Sequence, residues 1–123
     1  MEGAPARMAR GKDMPSEVRQ LLFKSREIIV AITEYFHRRG LNLPIGTASR
    51  VTIVEGQPVQ ASLDIVTDQG ETVAVEVNAE MLAASLILYC INRKIPLPAD
   101  ADERLQRIHE DSVALVVVKR AKA

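Results

Sequence analysis

A chain of 123 residues, 47% hydrophobic and 26% charged, has room for one core and one domain. With two Phe, two Tyr and no Trp, that core must be aliphatic. The net charge is zero but unevenly placed, +2 over residues 1–12, +3 over 119–123 and −5 between, which argues against a nucleic-acid surface on the folded part.

The single cysteine, Cys90, excludes an internal disulfide and fits a reducing, cytoplasmic setting. It lies inside an apolar run, where a thiol acts as a small buried hydrophobe rather than a nucleophile. Residues 1–13 contain Arg7 and Arg10 but no apolar stretch of a secretory signal, and read as a disordered arm. Residues 14–119 form the domain, and 120–123 a short basic tail.

Ser16 offers an N-cap, and Val18, Leu21, Ile28, Ile32 and Tyr35 then recur at alternating spacings of three and four, with Ser25 taking one slot, widened by Leu22, Ile29 and Phe36. This apolar stripe predicts a core-facing helix from Ser16 to Arg39, closed by Gly40. Arg50 to Glu55 reads as a strand and Gly56-Gln57-Pro58 as a turn. Val59, Ala61, Leu63 and Ile65 alternate with Gln60, Ser62 and Asp64, the signature of a strand with one wet face. After a hairpin loop at Asp68-Gln69-Gly70, Val73, Val75 and Val77 repeat the alternation, which completes a three-stranded antiparallel meander.

Asn78 then caps a second helix running to Asn92, with Glu80 in its first turn. That helix is too short to span a bilayer, which needs about 20 apolar residues. Asp100 and Glu103 have the spacing of a capping box and predict a short helix from Ala101 to His109. Ser112 to Val118 is apolar after its serine, as in a strand buried on both faces. The expected fold is therefore α+β, in the order α-β-β-β-α-α-β, with two long helices on one face of a mainly antiparallel sheet.

Little in the chain suggests reactive chemistry. His37 and His109 stand apart with no Cys or second His at ligand spacing. Asp64 and Glu76 could share the polar sheet face, where paired carboxylates usually serve solvation rather than acid–base work. No phosphate loop or nucleophile elbow occurs, so no catalytic, cofactor-binding or metal-binding residues are assigned, and no cofactor is expected. Arg38, Arg39, Arg93 and Lys94 sit at helix ends, where they suit the dipole and could meet an anionic partner.

Two stretches resemble known families. The order helix, meander, helix over residues 16–92, with the exit "YFHRRGLNLP", resembles the double-stranded-RNA-binding domain. That resemblance implies an RNA-binding lysine cluster at the start of the second helix. Here those positions are Asn78, Ala79, Glu80, Met81 and Leu82, so the order is similar without its RNA-binding residues. The segment "KIPLPADADERLQRIHEDSVALVVV" is similar to the second half of the swapped-hairpin domain of transition-state regulators and antitoxins, on Ile95, Leu97, Pro98, Leu105, Asp111, Val113 and Leu115. It implies a helix before the final strand, and an alternative in which 95–118 docks elsewhere as a swapped element.

The second helix is apolar around most of its circumference, which is more than one sheet face can cover. With the all-apolar final strand, this predicts a homodimer with Met81, Ser85, Tyr89, Leu115 and Val117 at its interface. The expected function is a small non-enzymatic binding or adaptor module with a protein partner and no membrane. The alternative is a nucleic-acid-associated regulator acting through basic terminal arms.

Overall fold

The computed structural model describes residues 16–119. The expected arm at 1–13 and tail at 120–123 lie outside the described residues. The elements are β1 (Glu17–Phe23), α1 (Ser25–Arg38), β2 (Gly46–Val54), β3 (Gln60–Thr67), β4 (Thr72–Val77), α2 (Ala79–Asn92), β5 (Asp102–His109) and β6 (Ser112–Lys119). The class is α+β, with two helices and six antiparallel strands, but the strands form two sheets, ordered β1-β6-β5 and β2-β3-β4. No helix among the described residues is long and apolar enough to cross a membrane.

The meander and α2 match the sequence reading. Ala61, Leu63 and Ile65 are buried on the inner face of β3. The Asn78 side chain caps α2 by accepting the Met81 N–H at 2.8 Å. Gly40, at φ 68°, ends α1: its N–H donates to the His37 carbonyl and that of Leu41 to Phe36, the paired closure that favours glycine. In α2 the same closure is made around Lys94, at φ 57°, with Ile95 donating to Cys90.

Two predicted helical segments are strands. Residues 17–23 do not extend α1. The helix starts at Ser25, where the Glu27 carboxylate accepts the Lys24 N–H at 2.9 Å. The preceding residues pair with β6 along their whole length, from Glu17 opposite Lys119 to Phe23 opposite Val113. Likewise the short helix at 101–109 is β5, joined to β6 through the two residues Glu110 and Asp111. Asp100 sits at φ 56°, in the left-handed region, so it cannot adopt the extended conformation of an N-cap.

The cause in both places is β6. Val113, Leu115 and Val117 point into the core, while Ala114 and Val116 are buried on the opposite face. A strand apolar on both faces is central, and a central strand needs a neighbour on each side. The meander strands pair among themselves, so only the flanking segments are left to supply them, whatever their local preference.

One core joins the two sheets and the helices. It contains Phe23, then Ile28, Ala31, Ile32 and Phe36 of α1, Leu82, Leu86 and Cys90 of α2, and the inner residues of β2, β3 and β6. The sheets are tied where the Ile53 N–H donates to the Glu110 carbonyl at 2.6 Å and Arg107 Nε donates to the Ile53 carbonyl at 3.0 Å. That tie holds the turn end of β5 against β2; among the described residues β1 and β5 are the two edges of the β1-β6-β5 sheet.

Candidate functional site

The helix-end cations are brought to one end of the helix pair, but they are not equivalent. Arg93 makes a two-pronged pair with Glu34 across the helices, Nη1 to Oε1 and Nη2 to Oε2, both at 3.0 Å. Its guanidinium also lies 3.7 Å from the centre of the Tyr89 ring, and Asn92 adds a bond to Glu34 at 3.2 Å. A planar guanidinium held by a carboxylate and an aromatic face is a cross-link rather than an open anion site. Arg39 stays closer to home, donating to the Tyr35 hydroxyl at 3.3 Å. Arg38 is exposed, and Lys94 forms the turn that ends α2.

The bond from Arg93 holds the Glu34 carboxyl below its ordinary value, and this outweighs the opposing effect of partial burial. A carboxyl lowered by folding adds stability that is full above its unfolded value, near 4.5. That contribution is lost as pH falls through the lower, folded value. Glu34→Gln should therefore flatten part of the acid limb of a stability–pH curve followed by urea unfolding, and leave the curve above pH ~6 parallel to that of the parent. An unchanged acid limb would mean that the pair is not formed in solution.

The predicted interface residues lie mostly inside. Ser85, Leu115 and Val117 are at most 1% exposed. The Ser85 hydroxyl donates to the Met81 carbonyl at 2.7 Å, which satisfies the one polar group in the run. Tyr89 packs edge-on against Phe23, with ring centres 5.8 Å apart, and Met81 is half-buried against the core. The strip thought to face a partner thus faces this chain's own sheets.

The most exposed large apolar side chains lie elsewhere: singly at Ile45 before β2 and Ile91 at the end of α2, and as a pair on β1. Val18 and Leu22 are 65% and 64% exposed. The register places Val18 beside Val118 and Leu22 beside Ala114, with Gln20 and Val116 between them. On the outer face of the β1-β6-β5 sheet, Asp102, Arg104 and Gln106 of β5 lie on the far side of β6. On that face Val18 and Leu22 are thus exposed on either side of Gln20, beside the buried Ala114 and Val116. Leu21 and Phe23 alternate with them and turn inward, a two-residue period that the helical stripe of α1 obscured in the sequence.

A cleft of about 620 Å³ opens between the turn at Gly56–Val59, the start of α2 at Ala79, Glu80 and Ala83, and residues 103–106 of β5. Its charged groups, Glu80, Glu103 and Arg104, are of mixed sign and single out no ligand. Asp64 and Glu76 occupy diagonal positions on one face of the meander, opposite Ala74 and Ser62, and His37 and His109 are exposed. Among the described residues no group of three or more His, Cys, Asp or Glu could hold a metal ion. Comparison with protein-family models, with curated proteins and with solved structures finds no match to this chain.

Proposed function

We propose that this chain is a small non-enzymatic binding module that works as a homodimer in a reducing, cytoplasmic setting. The observation that carries the reading is the edge strand β1, on whose outer face Val18 and Leu22 are about two-thirds exposed. A strand at the end of a sheet that exposes apolar side chains is a template for pairing with another chain. The state of Cys90 supports the non-enzymatic part, since burial pushes its thiol up and a protonated, enclosed thiol is a poor nucleophile.

One feature favours a second reading, the nucleic-acid-associated regulator. Glu17 pairs with Lys119, so the basic segments 1–12 and 119–123 join the domain side by side at one corner. Retention on heparin, and gel shift of a mixed-sequence DNA duplex, before and after removal of residues 1–13 and 120–123, separates the two. The binding-module reading expects weak retention that disappears by about 0.2 M salt and with the tails. Tight binding that survives both truncations would overturn it.

A further inference from the structure

We infer that β1 is the strand through which two copies join, pairing antiparallel about a two-fold axis at Gln20 to make a continuous six-stranded sheet, β5-β6-β1 followed by the partner's β1-β6-β5. The inference rests on the homodimer reading and specifies its geometry.

Three observations select this edge and a second copy of the chain. First, β1 lies at the end of its sheet, so among the described residues no strand meets the backbone N–H and C=O groups along its outer side. At the opposite edge the turn end of β5 abuts β2, where the Arg107 side chain and the Glu110 carbonyl bond Ile53, whereas among the described residues β1 runs free of the other sheet's strands. Second, the outward-facing residues of β1 are Val18, Gln20 and Leu22, none of them charged. Its two charges, Glu17 and Arg19, pair with each other at 3.6 Å, and Arg19 also donates to the Pro96 carbonyl at 3.0 Å. Edges that must stay single usually carry charges, a proline or a bulge; on β1 the register is unbroken and both charges lie on the inner face, engaged with each other and with Pro96. Third, the pattern is self-complementary. Gln20 is the middle residue of the seven-residue strand, so full antiparallel overlap sets Val18 opposite the partner's Leu22, Leu22 opposite the partner's Val18, and Gln20 opposite its own copy. Apolar cross-strand pairs then cover the most exposed apolar positions of the strand, and the two glutamine amides can bond each other at the axis. The net charge of zero leaves no overall repulsion between copies.

The test is cysteine cross-linking with a short bismaleimide in otherwise intact protein, read alongside native mass by light scattering. In Gln20→Cys the two thiols come within reach of each other, because directly opposed residues have Cβ atoms about 5 Å apart, and most of the protein should run as a covalent dimer. Asp68→Cys, exposed at the β3–β4 loop of the other sheet, should stay uncoupled, as should the parent with its buried Cys90. Leu22→Lys sets an ammonium beside the partner's strand and should weaken the dimer at least tenfold while keeping the parent's circular dichroism. If the parent has a dimer's mass but Gln20→Cys does not couple and Leu22→Lys stays dimeric, the edge inference is overturned and the homodimer reading survives. If the parent has a monomer's mass at the same concentration, both fall.

Discussion

Leu115→Lys leaves the chain without a cooperative folded state at 25 °C. Leu115 is fully buried at the middle of β6, with Leu21 on one side and Leu105 on the other. Removing a core leucine side chain costs about 2–5 kcal/mol. Placing an ammonium there adds several kcal/mol more, since no carboxylate of β1 or β5 stands opposite it. Against a total stability of about 5–15 kcal/mol for a domain of this kind, that sum removes most or all of the fold. Far-UV circular dichroism with urea unfolding is the check. Leu22→Lys, one residue beyond Leu21 but facing out, is the control and keeps a cooperative transition. A Leu115→Lys protein that unfolds near the parent's midpoint would show that β6 is not the enclosed central strand described above.

Phe23→Ala should cost about 3–5 kcal/mol, and Leu22→Ala, if measured in monomeric protein, less than about 1 kcal/mol. Phe23 is 4% exposed, faces the core and meets the edge of Tyr89. The whole ring is therefore lost from a packed site, together with an aromatic pair. If residues 17–23 instead continued α1, the stripe through Leu22, Ile29 and Phe36 would make Leu22 the costly position and leave Phe23 at the margin. At about 1–3 kcal/mol per molar urea, the expected loss moves the midpoint by more than 1 M. Phe23→Leu, which keeps most of the apolar volume, should recover much of it. The reverse ranking of the two alanine variants would restore the long helix.

Where residues carry their own signal, the fold was legible in the sequence. The alternation from Val59 to Ile65 belongs to a strand with one buried face, and Asn78 could be read as a cap because its side chain needs only the N–H three residues on. Leu21 and Phe23 were different. Glu-Val-Arg-Gln-Leu-Leu is built mostly of helix-compatible residues, and its spacing runs unbroken into that of α1. Its strand conformation is imposed by β6, nearly 100 residues away in sequence, through the register of Leu21 with Leu115. Before β5 the pair Asp100 and Glu103 has the spacing of a cap, while Asp100, at positive φ, ends a turn that leads into the strand. One clue was available: a final strand apolar on both faces requires two neighbours, and the meander had none to spare.

The candidate interface followed the same logic. The apolar residues of α2 and the last strand suggest an excess of apolar surface, but most of it is consumed inside the chain once β1 and β5 flank β6. Ser85, Leu115 and Val117 are inside, and on the β1-β6-β5 sheet the most exposed apolar residues are Val18 and Leu22. No reading that placed those two residues on a core-facing helix could have found that pair.

The most direct measurement is sedimentation equilibrium of the unmodified protein at low micromolar concentration, in reducing buffer near neutral pH. The account predicts a single species of twice the 13.5 kDa chain mass, which returns to the chain mass in Leu22→Lys while that variant remains folded. A parent protein that sediments at 13.5 kDa across the whole concentration range would contradict it.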